Sequence, residues 1–211
     1  MLLTAEELGR VVGLLAARDR SLASVVDLYG LPPLWPREPG FATLLHIILE
    51  QQVSLASAKS AFDKLCGAIG PPTPRTFLTL DDAQLKAMGF SRQKARYGRE
   101  LARALLDGQL DLEELADKDD DAVRAALTAI PGIGNWTVDV YLLLVLRRPD
   151  AFAPTDLALL TAVQQLKKLD RRPTPAEVTA MAEGWRPYRA CAARLLWHAY
   201  LSERAARKTA S

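Results

Sequence analysis

Leu127-Thr128-Ala129-Ile130-Pro131-Gly132-Ile133-Gly134-Asn135-Trp136-Thr137-Val138-Asp139-Val140-Tyr141 is the stretch on which the fold of this chain turns. Apolar residues recur at three- and four-residue spacings on both sides of Pro131-Gly132-Ile133-Gly134, so two helices are joined by a very short turn. Proline cannot continue the first helix, and glycines reach backbone angles that other residues reach only with strain. The second helix would begin at Gly134, Asn135 and Trp136, where unpaired amides and the positive dipole end can receive an anion. The same residues also suit a plain helix–helix corner with a glycine cap, and the turn alone does not choose between the two.

The pattern of this stretch extends along the chain. Apolar spacings of three and four recur almost throughout and strand-like alternation is scarce, which predicts an all-α protein. Helices are expected over 5–17, 22–30, 41–52, 54–69, 79–88, 91–107, 112–116, 121–130, 135–147, 156–169, 175–183 and 187–204. Proline-rich or glycine-rich breaks fall at 31–40, 70–74, 131–134 and 148–154. One segment echoes the hairpin: Leu85-Lys86-Ala87-Met88-Gly89-Phe90-Ser91-Arg92-Gln93-Lys94-Ala95 also reads as helix, glycine turn, helix.

The 211 residues are 49% hydrophobic and 25% charged, the balance of an ordinary globule with a real core and not of a disordered, collagen-like or coiled-coil chain. The apolar run from Val140 to Leu146 is far shorter than the roughly 20 residues of a bilayer helix. The acidic start, Met1-Leu2-Leu3-Thr4-Ala5-Glu6-Glu7, is unlike a signal peptide, so a cytoplasmic location is expected. Cys66 and Cys191 cannot supply a four-thiolate zinc or iron–sulfur site and are expected to be plain thiols. The net charge of +2 is unevenly divided. Residues 107–121 hold eight acidic side chains and one lysine, a net of −7, so the remainder carries +9. That remainder is compatible with a nucleic-acid partner, although a solvated acidic face is the plainer reading of 117–121.

Four segments taken together resemble the DNA-3-methyladenine glycosylase II family of the helix-hairpin-helix DNA glycosylase superfamily. They are the 127–141 hairpin, Ile47-Ile48-Leu49-Glu50-Gln51-Gln52-Val53-Ser54, Ala153-Pro154-Thr155-Asp156, and Trp185-Arg186-Pro187-Tyr188-Arg189 with Trp197 after it. The resemblance runs from about Pro36 to the end of the last helix, and it implies a compact member without the β-rich N-terminal lobe of longer relatives. The implied fold is all-α and two-lobed, with the active-site cleft between lobes. Residues 31–148 would form the lobe with the hairpin, and residues 1–30 with 149–211 the lobe carrying the catalytic aspartate.

By position the essential aspartate is Asp156, which would stabilise positive charge developing on the deoxyribose and orient or deprotonate the attacking water. An Asp at a helix start is also a plain N-cap, and the two roles are compatible. Glycosylases that nick the backbone carry a lysine where this chain has Trp136, so the resemblance implies a monofunctional enzyme that leaves an abasic site in an intact strand. Trp136 and Trp197 fall on pocket positions for a flipped base, and an alkylated purine would add a cation–π contribution of about 1 kcal/mol. Val140 and Leu157 stand where longer members carry aromatic residues, and His198 where a tyrosine can occur. A roomier pocket and a broader lesion range follow from those departures. Trp185, Tyr188 and Tyr141 read as core.

DNA contacts are implied for Gly132, Ile133, Gly134, Asn135 and Thr137 of the hairpin. Gln52 matches the position that fills the gap left by the flipped base, or it is merely an exposed helix end. Arg189 would fix the Asp156 region or touch phosphate, and Arg92, Lys94, Arg96 and Arg99 form a basic stretch that would face the backbone or only water. No cofactor is implied for catalysis. The family's hairpin often holds a structural monovalent cation on loop carbonyls, here by position those of Thr128, Ile130 and Ile133. The expected partner is double-stranded DNA containing damaged bases, bound by a monomer with no membrane involved. Three rival readings share these residues: a glycosylase for another lesion class, a catalytically silent DNA-damage binding module, and a helical protein–protein scaffold.

Overall fold

Side chains at the helix starts do much of the local work. Thr4, Asp19, Ser54, Thr73, Asp81, Ser91, Asp119 and Thr174 each precede a helix and accept a backbone N–H of its first turn. In the computed structural model, which describes residues 2–209, they open a chain of twelve α-helices with no strand among the described residues. These are α1 (Ala5–Arg18), α2 (Arg20–Tyr29), α3 (Phe41–Glu50), α4 (Leu55–Ile69), α5 (Pro74–Leu78) and α6 (Asp82–Ala87). The others are α7 (Arg92–Leu106), α8 (Asp120–Thr128), α9 (Asn135–Leu144), α10 (Leu157–Leu166), α11 (Pro175–Ala182) and α12 (Arg189–Thr209). The all-α expectation holds. No helix of the described residues is long and apolar enough to cross a membrane.

The departures have local causes. Helix α5 lies partly in a segment read as a proline break, because Pro74 occupies the first helical position, where its missing N–H costs nothing, behind a Thr73 capping box. The helix expected over 79–88 starts only after Asp81, which caps α6 reciprocally with Gln84. Residues 112–116 form a single 3-10 turn, Glu114–Ala116. The acidic run around it is largely helix-start chemistry. Asp111 accepts the Glu113 N–H, Asp119 accepts the Ala122 N–H, and Asp120 and Asp121 sit in the first turn of α8, where the dipole favours them.

The chain divides into two compact units, one of residues up to Pro36 together with those from Leu142 on, the other Arg37–Tyr141. The divisions expected at 30/31 and 148/149 therefore move inward, and Arg194 supplies a physical reason. Its guanidinium is fully buried in α12 and donates to the carbonyls of Leu34 at 3.0 Å, Leu143 at 2.6 Å and Ala190 at 3.0 Å. Burial lowers its pKa to about 10, so it stays cationic at neutral pH and both flanking segments are drawn into the terminal unit. That unit's core is Leu8, Val11, Val12 and Leu15 of α1, Leu22 and Val25 of α2, Leu159 and Val163 of α10, and the small-residue face of α12.

In the Arg37–Tyr141 unit the core is built on α3, with Leu44, Leu45, Ile47 and Ile48 fully buried. Helix α7 approaches it closely because residue 98 is glycine. A Cβ there would lie 2.7 Å from the Phe77 ring and 2.9 Å from Leu45.

Candidate active site

The hairpin lies in the Arg37–Tyr141 unit as the turn between α8 and α9. Ala129 ends α8, Ile130 N–H donates to Leu127 O, and Ile133 N–H donates to Ile130 O at 3.1 Å. The two glycines differ in role. Gly132 has φ +94°, and a Cβ there would sink into the Tyr97 ring of α7, so only glycine serves. Gly134 has no positive φ and open space where a Cβ would stand. It is exposed, as is Asn135, while Trp136 is half-buried.

Three contacts that the sequence did not disclose hold this turn. Gln51 donates through Nε2 to Gly132 O and to Thr137 Oγ1, both at 2.9 Å, pinning the end of α3 to the hairpin. Tyr97 lies against Gly132. Arg124 of α8 reaches across to Asp139 of α9 at 2.6 Å and to Asn135 Oδ1 at 3.3 Å. Burial pushes the Asp139 carboxyl above its ordinary range, and Arg124 offsets part of that rise. The Gln51-Gln52 pair was the signal for the first contact, but which glutamine faces inward depends on where α3 ends.

Some expected site residues turn out to be internal. Thr137 is 1% exposed, and its side chain serves the hairpin as acceptor for Gln51, which leaves only its backbone groups for any contact with DNA. Ile133 and Val140 are also buried, which leaves only backbone groups of Ile133 for any contact. Tyr141 is fully buried, as expected of a core residue, and burial pushes its phenol up to about 12. Gln52, in contrast, is exposed and has φ +56°, a left-handed conformation sparsely used by side-chained residues. Of the basic stretch, Lys94 donates to Leu49 O and Arg99 pairs with Asp82, whereas Arg92 and Arg96 are exposed.

The terminal unit holds Asp156 at the start of α10. The side chain accepts from the backbone N–H of Ala158 and of Leu159, both at 3.0 Å, so the N-cap role is real. The same oxygen, Oδ1, also accepts from Trp197 Nε1 of α12 at 3.1 Å. Asp156 is 9% exposed, Trp197 is half-buried and Leu157 is 57% exposed. Arg189 engages Asp150, six residues before Asp156, through Nε at 2.9 Å and Nη2 at 3.0 Å. With Ala190 N–H on Pro149 O and Phe152 edge-on to Trp185, this pair ties the loop before Asp156 to the start of α12. His198 is packed, with Nε2 at 3.0 Å from Tyr29 O.

A buried, N–H-ringed carboxylate beside an indole can stabilise a positive charge and act on a water, and a glycine-led helix start can receive an anion. Residues 45–187 match the model of the HhH-GPD superfamily base excision DNA repair protein. A putative DNA-3-methyladenine glycosylase, YfjP, of Bacillus subtilis is 30% identical over 84% of this chain and 64% of its own length. DNA-3-methyladenine glycosylase 1 of Schizosaccharomyces pombe is 29% identical over 76% of this chain and 72% of its own. The solved structure of the Schizosaccharomyces pombe 3-methyladenine DNA glycosylase Mag1 in complex with abasic DNA superposes with a TM-score of 0.84 at 28% identity, covering 89% of this chain and 95% of that one.

Proposed function

The chain belongs to the HhH-GPD superfamily of base excision DNA repair proteins, and from that premise we propose that it is a monofunctional DNA glycosylase. It removes alkylated bases, 3-methyladenine and related, from double-stranded DNA and leaves an abasic site. The observation that carries this is Asp156, a nearly buried carboxylate with three N–H donors on one oxygen, beside an indole ring.

The chemistry follows from charge. As the C1′–N bond of a flipped nucleotide breaks, its electron pair leaves with the base and positive charge grows on the sugar. A fixed carboxylate stabilises that charge better in the transition state than in the ground state. Water adds at C1′ and its proton passes to Asp156 or to solvent. An alkylated purine is already cationic, so it departs neutral and needs no general acid. Trp197 offers it a π-face. Trp136 matters for what it is not: an indole cannot form the Schiff base that an amine would, so the strand stays unbroken.

The hairpin would bind the DNA backbone, with a phosphate approaching Gly134 and Asn135 at the start of α9. A monovalent cation on the carbonyls of Thr128, Ile130 and Ile133 belongs to the same proposal. Ile130 O already accepts one N–H, and a carbonyl has a second lone pair for a cation. Mass spectrometry of free bases released from methylated duplex DNA, with strand integrity checked before alkali, tests the reading. Release of 3-methyladenine without a nick supports it. Binding without release would instead make the protein a silent damage-recognition module.

A further inference from the structure

Helix α4 presents one stripe of residues to the turn between α6 and α7. Ser57, Ser60, Ala61 and Lys64 recur at helical spacing, and with Met88 and Gly89 they line an open groove of about 420 Å³. The turn comes close because both sides are small. Gly89 has φ +97°, and a Cβ there would stand 3.5 Å from Ala61 Cβ. The rim is polar: Ser57, Ser60 and Lys64 are exposed, and no carboxylate lines the groove among the described residues. Its cations are also unpaired. Among the described residues Lys64 has no ion-pair partner, and neither have Lys86 and Arg92, which stand three residues before and after Gly89. Elsewhere on α4 and α7, Lys59, Arg99 and Arg103 are paired with Asp63, Asp82 and Glu100. Two hydroxyl donors and a free ammonium, with no acid among them, suit a phosphodiester backbone. Ser91 already caps α7, so the donors offered here are side chains and not the helix start.

We propose that this groove carries the backbone of the strand complementary to the lesion, with Lys64 at a phosphate and Ser57 and Ser60 donating to its oxygens. The inference rests on the glycosylase reading above, with the hairpin on one backbone and Gln52 filling the gap left by the flipped base, and it supplies the second strand. Three consecutive residues connect these parts. Gln51 donates to Gly132 O and Thr137 Oγ1 of the hairpin, Gln52 is exposed with a left-handed φ, and Val53 lines the inner end of the groove beside Ser57, Ala61 and Gly89. A side chain that enters the base stack stands between the two backbones, so the surfaces on either side of it meet different strands. The hairpin takes one and the groove takes the other. Both belong to the Arg37–Tyr141 unit, so one core fixes the spacing between the two contacts. Lys94, at the inner end, donates to Leu49 O and so holds α7 to the end of α3 instead of reaching for DNA.

The test uses the full chain and reads binding, so it needs no turnover. Kd is measured for three duplexes that contain a tetrahydrofuran abasic analogue: one unmodified, one with neutral methylphosphonates in the complementary strand around the site, and one with them in the lesion strand. On the unmodified duplex Lys64→Ala should weaken Kd by about 3- to 10-fold and lower the slope of log Kd against log salt by about 1. Ser60→Leu, which fills the groove without changing charge, should weaken Kd by about threefold. Both effects should vanish on the duplex neutralised in the complementary strand and persist on the one neutralised in the lesion strand. Lys59→Ala, on the same helix but outside the groove, should change Kd by less than about twofold. An unchanged Kd in Lys64→Ala overturns the proposal. So does a loss of equal size on all three duplexes, or a Lys59→Ala variant as impaired as Lys64→Ala, since either means general attraction by charge. A parent that binds in the expected pattern yet releases no 3-methyladenine fails the glycosylase reading and supports the groove, whereas an active parent whose Kd ignores Lys64→Ala fails only the inference.

Discussion

Helices α9 and α10 begin in opposite ways. Before α9 stands Gly134, which has no side chain to place over the first amides and leaves open space where a Cβ would be. Before α10 stands Asp156, whose carboxylate occupies that position itself. Both helix starts carry the positive end of a dipole. The first is left for an anion from outside, which suits a phosphate. The second arrives with its own anion, which suits a cation such as a sugar losing its base. The echo turn before α7 shows the third choice. Gly89 has φ +97°, close to the +94° of Gly132, but Ser91 then caps the helix by accepting the Lys94 N–H. The same backbone turn therefore does not make the same site, and one side chain at the helix start decides it.

Several measurements can break or sharpen this contrast. The largest effect is expected at the acidic start. Asp156→Asn should reduce base release on the order of 10³-fold, while asparagine, an equally good cap, leaves the thermal midpoint nearly unchanged. A large loss of stability would mean that the Asp156 charge chiefly holds the fold, since the cap itself is kept. Next come the changes that dismantle the glycine start from behind. Arg124→Ala leaves the Asp139 carboxylate buried without its cation and should cost about 3 kcal/mol near neutral pH, measured by urea unfolding. The sign with pH is specific. A carboxyl whose pKa is raised on folding holds its proton more tightly when folded, so its contribution is greatest in acid and is lost as pH rises through the raised pKa. The cost of Arg124→Ala should accordingly shrink toward pH 4.

The two hairpin glycines should part company. Gly132→Ala forces a side chain into Tyr97 at a positive φ and should lower stability by about 2 kcal/mol. Gly134→Ala should fold normally and lose DNA affinity, seen as a weaker Kd for duplex DNA. Equal destabilisation by both would refute the idea that Gly134 is kept small for something outside the chain. The smallest pair is Gln51→Ala, which removes two hydrogen bonds at a cost of about 1–2 kcal/mol, against Gln52→Ala, which should leave stability within about 0.5 kcal/mol and alter only the handling of lesion DNA.

What was legible in the sequence is what neighbours in the chain decide. Pro131 and Gly132 mark a turn because their own backbones require one, and Asp156 is visible as a helix start because its acceptors' donors lie two and three residues on. The helical class follows from apolar spacing, whereas α5, where no helix is expected, and the late start of α6 arise where a capping residue outweighs a proline or an apolar pattern. The partners that hold the site were not legible. Gln51 meets the hairpin across 81 and 86 residues, Trp197 meets Asp156 across 41, and Arg194 gathers Leu34 and Leu143 across 160 and 51. The amino-acid order by itself determined helices, turns and the residue types at the two helix starts, because these depend on covalent neighbours and on local hydrogen bonds. Only the tertiary structure decided which glutamine faces the hairpin, which threonine is buried, where the two units divide and which nitrogen holds the carboxylate. Those depend on packing, which brings together donors and acceptors that sequence separation keeps apart.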